Sequence, residues 1–196
     1  MPTEFFVYDY DQPIQDSGLR LRAIADPDDA AIETFDCGTS EPAVSINDYI
    51  RSGSWFARRN HIGIAFAVPE GDVAGIAVVR TRVQPHPTPD ASSSEPYLVL
   101  LAFGVNRPYQ GREDSGSPDA HRISDSMVRA ILGVTDANGL AGAYLWVRKS
   151  NGGAMALYAR NGFMTDAGIP HIDEFGTEFL GMRHLNPAAY ALHVGT

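Results

Sequence analysis

The stretch Leu98–Leu132 carries the residue types and the spacing that favour binding chemistry. Its apolar run Leu98–Val105 predicts a buried strand, which is too short to cross a membrane. After a polar loop, Ser117 as N-cap, Pro118 at the first helical position and Asp119 in the first turn predict the start of a helix. Unpaired N–H groups and the positive end of the helix dipole meet at such a start, which favours an anion-binding site. An ordinary strand–helix unit that binds no ligand is the alternative.

A second block of informative spacing lies at residues 151–163. The polar turn Asn151-Gly152-Gly153 precedes a predicted helix that carries Leu157 and Tyr158, and Gly162 suits the left-handed residue just past a helix end. In the earlier helix, one face is predicted from the helical spacing of Ile123, Met127, Val128, Ile131 and Leu132. Both blocks therefore predict helices with a defined buried side.

The remaining chain supplies the elements that must position these two blocks. Strands are predicted at Leu19–Ile24, Ile62–Val68, Val73–Val83, Ala143–Val147 and Glu178–Leu185. Helices are predicted from Asp26 through Phe35 and over Ser45–Asn60, whereas Gln84–Pro96 and Met164–Thr177 are predicted to be irregular. This order indicates an α/β (α+β) protein with a mixed sheet and helices on both faces.

Length, charge and cysteine content narrow the class of protein. The chain has 196 residues, of which 44% are hydrophobic, so we expect one domain over residues 1–196, with 1–18 as an arm or an edge strand. The net charge of −9 disfavours broad nucleic-acid affinity. Cys37 is the only cysteine, which excludes an internal disulfide and fits a reducing compartment. We expect a cytoplasmic protein without signal peptide, membrane anchor or metal site.

Two motifs in the two blocks resemble those of the GCN5-related N-acetyltransferase (GNAT) superfamily. The first is Val105-Asn106-Arg107-Pro108-Tyr109-Gln110-Gly111-Arg112, which looks like the family's fourth strand and the start of its pyrophosphate loop. The second is Asn151-x-x-Ala154-x-x-Leu157-Tyr158-x-x-Asn161-Gly162-Phe163, which is similar to the family's asparagine-to-"LYxxxGF" helix. The resemblance implies a mostly antiparallel mixed sheet with a central strand splay. It also implies acetyl-CoA as co-substrate, an amine acceptor and, as is common in the family, a homodimer.

The resemblance also implies roles for particular residues. The backbone near Phe103 and Val105 would hydrogen-bond the pantetheine arm and polarise the thioester carbonyl. Tyr158 would be the general acid that protonates the leaving thiolate; the alternative is a tyrosine packed between helix and sheet. Asn151 would either bind the cofactor arm or cap its own helix. Gln110 and Gly111 would begin the loop that holds the pyrophosphate.

The loop after Gln110 departs from the family pattern. Counting back from Met127 and Val128 puts Arg122 and Ser124 where the family has glycines, so the loop contains an insertion of several residues. Acidic residues in this insertion should weaken pyrophosphate binding: Glu113, Asp114 and Asp119. Basic residues could compensate by contacting phosphate directly: Arg112, His121 and Arg122. We favour retained cofactor binding; the alternative is a non-catalytic GNAT-fold binding module with a degenerate loop.

The front half of the chain resembles a narrower group, the GNAT toxins that acetylate aminoacyl-tRNA. The matching residues are Phe35-Asp36-Cys37-Gly38 followed by Ile46-Asn47-Asp48-Tyr49-Ile50, although Cys37 and Gly38 could also simply end a helix. A toxin would have charged tRNA and a protein antitoxin as partners. Its phosphate contacts would come from a local basic cluster, namely Arg51, Arg58, Arg59 and His61.

The acceptor amine and a general base are not fixed by any pattern. The loops expected to meet the acceptor, Gln84–Pro96 and Met164–Thr177, carry no diagnostic motif, so a small-molecule amine and an aminoacyl amine both remain open. Candidate bases are His86, Glu95, His171 and Asp173, each of which could equally be a solvated surface group.

Overall fold

A computed structural model describes residues 12–14, 16–58, 60–85, 94–119, 121–166 and 171–186. The strands are β1 (Gln12–Pro13), β2 (Arg20–Ile24), β3 (His61–Ala67), β4 (Val73–Pro85), β5 (Ser94–Val105), β6 (Gly142–Arg148), β7 (Met164–Thr165), β8 (His171–Ile172) and β9 (Glu178–Leu185). The helices are α1 (Ala30–Glu33), α2 (Glu41–Arg51), α3 (Ile123–Ala137) and α4 (Gly152–Arg160), with a short 3-10 helix at Arg107–Tyr109. Among these described elements, no helix has the length and apolarity needed to span a membrane.

The chain falls into two compact units, which are described separately. The first unit comprises Met1–Arg80 and Leu101–Ala130, and the second comprises Thr81–Leu100 and Ile131–Thr196. Strands β4 and β5 and helix α3 contribute residues to both units.

In the first unit, β1, β2, β3 and the start of β4 form consecutive antiparallel pairs. The apolar core beneath them includes Phe35, Ile50, Trp55 and Ile76, all fully buried. Trp55 packs against a strand position without a side chain, because a Cβ on Gly63 would lie 2.3 Å from the Trp55 Cη2. Its indole N–H donates to the Ile50 carbonyl at 3.2 Å, so the buried ring has no unsatisfied polar atom.

Both helices of the first unit differ from the sequence prediction. The helix expected from Asp26 through Phe35 is shorter than predicted, because α1 covers only Ala30–Glu33. Asp29 caps it by accepting from the Ala31 N–H. The helix expected over Ser45–Asn60 is α2, which begins earlier and ends at Arg51. Gly53 then adopts a left-handed φ of 60°, and the chain turns so that Trp55 enters the core. Burial of the tryptophan thus outweighs continuation of the helical pattern.

In the second unit, β5 and β6 are parallel, with Tyr97–Leu100 opposite Gly142–Leu145. This ladder ends there although β5 continues to Val105 and β6 to Arg148, in agreement with the predicted splay. Strand β6 pairs antiparallel with β9 along its whole length. The short strands β7 and β8 also pair antiparallel with β9, in a segment that the sequence predicted to be irregular.

Helix α4 agrees with the sequence prediction at both ends. Asn151 is its N-cap, with the side-chain oxygen accepting from the Ala154 N–H at 3.0 Å. Gly162 follows the helix with a φ of 84°, the left-handed conformation predicted for it. The mixed, mostly antiparallel sheet and the helices confirm the predicted α/β class.

Candidate functional site

The turn after β5 is fixed by two amide side chains. Asn106 is buried, accepts from the Asp36 N–H at 2.8 Å and donates to the Val73 carbonyl at 2.7 Å. Gln110 donates to the Cys37 carbonyl at 2.7 Å and to the Val105 carbonyl at 2.9 Å. The predicted loop residue Gln110 therefore ties the end of β5 to the segment that follows α1.

The segment Phe35–Gly38 forms one structural group with Asn47 of α2. The Asn47 side chain accepts from the Cys37 N–H at 2.9 Å and donates to Asp36 Oδ1 at 3.2 Å and to the Gly38 carbonyl at 3.0 Å. Helix α1 ends before this segment, so Cys37 and Gly38 do not merely terminate a helix. The two halves of the toxin-like motif are thus joined by hydrogen bonds and seated on the end of β5.

Cys37 in this segment is not prepared for nucleophilic chemistry. Burial raises the pKa of its thiol to about 11, and its sulfur lies 3.5 Å from the Ala43 carbonyl. A thiol with this pKa is protonated at neutral pH. Its contribution is packing, since a Cβ on Gly104 of β5 would come within 3.1 Å of the Cys37 Cβ.

The loop after Arg112, for which the sequence predicts an insertion, closes on itself. The Ile123 N–H donates to the Arg112 carbonyl at 3.0 Å, the Asp114 N–H donates to the His121 carbonyl at 2.7 Å, and Glu113 and Arg122 form an antiparallel bridge. We call residues 113–122 the inserted hairpin. Its two ends are adjacent, so α3 begins directly where the hairpin closes.

The prediction that this helix begins at Ser117 is wrong. Helix α3 begins at Ile123, and the Ser117 N–H donates to the Asp114 carbonyl within a turn of the inserted hairpin. The local Ser-Pro-Asp signal is outweighed by long-range hydrogen bonds that commit Asp114 to the segment Ser17-Gly18.

Asp114 anchors the inserted hairpin through hydrogen bonds that its carboxylate accepts from groups of the first unit. The side chain is 4% exposed and accepts from the Ser17 hydroxyl, the Gly18 N–H at 2.8 Å and the Gly116 N–H at 3.1 Å. Burial by itself raises the pKa of this carboxyl, but hydrogen bonds from Ser126, Ser17 and the two backbone amides bring it below its ordinary value. Asp114 is therefore ionised at neutral pH, and its charge is balanced by donors within the first unit.

The predicted phosphate-binding cations lie at the base of the inserted hairpin. Arg112 and Arg122 flank it and are exposed; the Arg112 guanidinium stacks 5.4 Å from the centre of the Tyr109 ring. The His121 Nε2 lies 3.5 Å from the Asp119 carboxylate. Gly111 has a φ of 74°, the backbone freedom expected where a loop closes on an anion.

A cavity of about 200 Å³ lies beside the inserted hairpin in the first unit. It is bordered by the hairpin, the strand connection at Val68–Glu70 and the segment Gly18-Leu19. Arg112 and Tyr109 contribute to its wall, and the Tyr109 hydroxyl donates to Asp72 at 3.1 Å. The remodelled loop thus leaves an open space next to its cations.

Phe103 and Val105 lie at the end of β5. The Phe103 side chain is buried. The Val105 carbonyl accepts from Gln110, so this oxygen is engaged within the first unit. Any contribution of these residues to a ligand therefore comes from their remaining backbone groups.

Tyr158 lies in the second unit, on the buried side of α4. It is 6% exposed, its ring lies 5.5 Å from the ring of Phe163, and burial raises the pKa of its hydroxyl. The phenol therefore stays protonated at neutral pH. The cap by Asn151 and the turn at Gly162 fix the two ends of the helix that carries it.

The two candidate bases in the second unit, His171 and Asp173, both contact neighbouring residues of that unit. The His171 ring packs against Trp146 at 5.4 Å and Phe179 at 5.7 Å. Asp173 accepts from the Thr177 and Phe175 N–H groups, and these bonds lower the pKa of its carboxyl. His86 and the side chain of Glu95 lie outside the described residues.

Sequence reasoning missed the roles of two polar residues of the first unit. Asn106 lay in the quoted motif, but its bonds to Asp36 and Val73 depend on the fold. Arg80 was absent from the predicted basic cluster, although the register of β3 and β4 places it opposite His61. Arg51, which was included, turns its Nε to the Phe35 carbonyl at 2.8 Å. A prediction of the register between β3 and β4 would have placed Arg80 opposite His61.

Comparison with known proteins gives structural matches only. No protein-family model matches the sequence, and no curated protein matches it. A solved bacterial toxin has a TM-score of 0.58 and 18% identity, covering 90% of this chain and 96% of that chain. The structure of AtaTR bound with AcCoA has a TM-score of 0.55 and 16% identity, and the match covers 90% of this chain and 98% of that chain. A chimera of the spermidine N-acetyltransferase SpeG from Vibrio cholerae and hSSAT has a TM-score of 0.57 and 14% identity. The match covers 89% of this chain and 99% of that chain.

These matches and the geometry above define a protein with the GNAT fold. At 14–18% identity the likeness concerns the fold, and the matched structures include both toxins and small-molecule acetyltransferases.

Proposed function

We propose that this protein is an acetyl-CoA-dependent N-acetyltransferase that acts on a primary amine by direct attack. The observation that carries the proposal is Tyr158, a buried and protonated phenol on a helix whose two ends are fixed by Asn151 and Gly162. Solved structures with the same fold include an N-acetyltransferase and a toxin complex with AcCoA, which supports this activity.

In this mechanism the amine nitrogen forms an amide bond with the acetyl carbon while the carbon–sulfur bond breaks. The Tyr158 hydroxyl donates its proton to the departing sulfur, and the amine proton leaves to solvent. The raised pKa of Tyr158 keeps the phenol protonated at neutral pH, so the proton is present when the thiolate forms.

The loop of the first unit is the proposed pyrophosphate site. It combines the left-handed turn at Gly111 with the α3 N-terminus and three basic side chains, Arg112, His121 and Arg122. Asp114, one of the three acidic residues expected to weaken this site, is ionised, but its carboxylate oxygens are occupied by donors of the hairpin and of the segment Ser17-Gly18. This arrangement favours retained binding over a degenerate module.

Calorimetric titration of acetyl-CoA and a turnover assay with Tyr158→Phe test the proposal. We expect micromolar binding by both proteins, because the phenol contributes to proton transfer rather than to phosphate recognition. Turnover should fall by about 10²–10⁴-fold in the variant, the range expected for loss of a general acid. An unchanged rate would remove Tyr158 as the acid, and no heat at millimolar acetyl-CoA would favour the non-catalytic module.

A second candidate is a toxin that acetylates the amino group of aminoacyl-tRNA, with a protein antitoxin as partner. It is favoured by the segment Phe35–Gly38, which Asn47 and Asn106 bind to the end of β5 as one unit. It is supported by solved structures with the same fold, among them AtaT bound to the C-terminus of the antitoxin AtaR and a KacTA–DNA complex. The two candidates share the acetyl-CoA half-reaction and differ in the acceptor.

Transfer of radiolabelled acetyl groups separates these acceptors. Label recovered with aminoacyl-tRNA, but not with deacylated tRNA, supports the toxin. Label on spermidine or free amino acids, with none on charged tRNA, contradicts the toxin and supports a small-molecule acetyltransferase. Asn47→Asp is a useful variant here, because it removes the donor to Asp36 and Gly38 without changing side-chain size.

A further inference from the structure

Four ring-bearing side chains share one face of the sheet in the second unit. Tyr144 and Trp146 are two residues apart on β6, so both point to this face. On the neighbouring strands, Phe179 of β9 lies opposite Arg148 of β6, and His171 of β8 lies opposite Phe179. Directly paired residues point to the same side of a sheet. We call Tyr144, Trp146, His171 and Phe179 the aromatic shelf.

The rings of the aromatic shelf touch one another edgewise or at a tilt. The ring centres of Tyr144 and Trp146 are 5.4 Å apart, with an angle of 80° between the rings. Trp146 and His171 are 5.4 Å apart at 45°, and His171 and Phe179 are 5.7 Å apart at 50°. None of these contacts covers the face of the Trp146 ring as a parallel stack would, and the residue is 41% exposed.

The second tryptophan of the chain is packed differently. Trp55 is fully buried and stacks on Phe56 at 3.8 Å with an angle of 25° between the rings. Trp146 lacks this cover, although a large apolar side chain at the surface forgoes the free energy of burial. A contiguous group of exposed rings marks a binding surface, whereas single exposed apolar residues are ordinary.

The backbone of β9 makes room for the two rings of β6. Gly181 lies opposite Trp146 in the register between the strands. A Cβ on Gly181 would come within 2.4 Å of the Tyr144 hydroxyl oxygen and 3.3 Å of Trp146 Cζ3. Both rings therefore lean over a strand position without a side chain, and they form a low floor on which a flat group can rest.

The charged residues next to the aromatic shelf are acidic in balance. Asp173, Glu174 and Glu178 follow β8, whereas Arg148 and Lys149 come at the end of β6. Three negative charges against two positive charges leave one negative charge in excess. The Lys149 Nζ lies 2.6 Å from the Glu178 carboxylate, so one charge of each sign is already paired. This rim favours a ligand that carries a positive charge.

We propose that the aromatic shelf binds the ring of an arylalkylamine, and that such an amine is the acceptor of the acetyl group. A planar ring can stack on the open face of Trp146, and the π faces and the acidic rim both attract the ammonium group. Trp146 is the first residue of β6 beyond its ladder with β5, which ends at Leu145. His171 comes from Met164–Thr177, one of the two loops expected to meet the acceptor. The role as acceptor site rests on the proposed transferase activity, whereas ring binding can be measured without it.

The test follows the indole N–H signals of the two tryptophans by NMR while the intact protein is titrated with phenethylamine at constant pH and ionic strength. We expect a saturable shift of the Trp146 signal and none of the Trp55 signal, because Trp55 is fully buried. Cyclohexylethylamine has the same ammonium group and chain but no π system, and it should bind about two- to tenfold more weakly. Absence of a saturable Trp146 shift, or equal affinity for the two amines, would overturn the proposal.

Substitutions assign this preference to the shelf. In Trp146→Leu, which also assigns the indole signals, the His171 imidazole signals report binding, and the preference for phenethylamine should disappear. Trp146→Phe keeps a ring and should retain most of the preference. Phe175→Leu is the matched control, because Phe175 is 84% exposed and contributes no ring to the shelf. Thermal melting checks that each variant is folded, and an equal loss of preference in Phe175→Leu would contradict the assignment to Trp146.

Turnover with acetyl-CoA separates the acceptor role from the transferase activity itself. We expect Trp146→Leu to raise KM for phenethylamine about two- to tenfold with kcat nearly unchanged, because the shelf holds the ring and not the reacting atoms. Acetylation of other amines but not of bound phenethylamine would overturn the acceptor role of the shelf. Acetylation of no amine at all would contradict the transferase proposal, and the NMR titration then decides alone whether the shelf binds the ring.

Discussion

Replacing Asp114 by alanine should release the inserted hairpin from the segment Ser17-Gly18. The buried carboxylate accepts from two backbone amides and two hydroxyl groups. Hydrogen bonds to a charged group contribute about 1.5–3 kcal/mol each, but their sum is reduced by relaxation and by water entering the site. We therefore expect the free energy of unfolding to fall by roughly 3–5 kcal/mol, at the upper end for single substitutions.

Urea unfolding of Asp114→Ala and Asp119→Ala measures this effect. Asp119 lies in the same hairpin with a side chain that is 74% exposed, so its replacement should change stability by no more than about 0.5 kcal/mol. Acetyl-CoA affinity should fall in Asp114→Ala because Arg112 and Arg122 flank the released segment. A loss below about 1 kcal/mol in Asp114→Ala would refute the anchoring role assigned to these hydrogen bonds.

The pH dependence of stability gives an independent check on Asp114. Its folded-state pKa lies below its unfolded value, so its contribution is fully present above an unfolded pKa of about 3.9. The contribution is lost as the pH falls from there through the folded pKa. Asp114→Asn should remove this part of the acid sensitivity, which acid titration followed by circular dichroism can measure.

Three further predictions concern packing, capping and reactivity. Gly63→Ala should destabilise the protein by about 2–4 kcal/mol in urea unfolding, because the new methyl would lie 2.3 Å from the buried Trp55 ring. Gly133→Ala in α3, with open space around its Cβ and no positive φ, is the control for a glycine replacement without a clash and should not destabilise the protein. Asn151→Ala should cost about 1 kcal/mol for the lost helix cap and leave acetyl-CoA affinity unchanged; weaker binding would show that Asn151 also holds the cofactor. Cys37 should react with iodoacetamide far more slowly at pH 7 than a free thiol and accelerate toward pH 11, whereas rapid reaction at pH 7 would contradict its raised pKa.

The sequence predicts most accurately where structure depends on nearby residues. Helix α4 is an example, since its cap at Asn151 and its left-handed end at Gly162 are both local signals. Strand β5 is another example, because its apolar run predicts a buried strand without any knowledge of the neighbouring strands, and most of that run is buried. In both cases the local preference and the tertiary contacts agree.

Prediction failed where a distant contact determined the local structure. Ser117 and Pro118 form a sound helix start in isolation, yet Asp114 bonds to a serine 97 positions away and holds the segment as a hairpin. The end of α2 was misjudged for a similar reason, because Trp55 leaves the helical pattern to fill the core. Arg80 lies opposite His61 because of the register between β3 and β4, and the composition of the chain does not reveal that register.

In the proposed cofactor loop, a changed sequence would preserve an anion site by other means. The resemblance puts Arg122 and Ser124 where the family has glycines, and the N–H of Ile123, the first residue of α3, donates to the Arg112 carbonyl. The helix start therefore offers one main-chain donor fewer, while two arginines at the hairpin base offer charged donors that glycines lack. We therefore propose that recognition depends on side chains more than on the backbone, and that the hydrogen bonds of Asp114 are needed because they hold the hairpin beside those side chains in place.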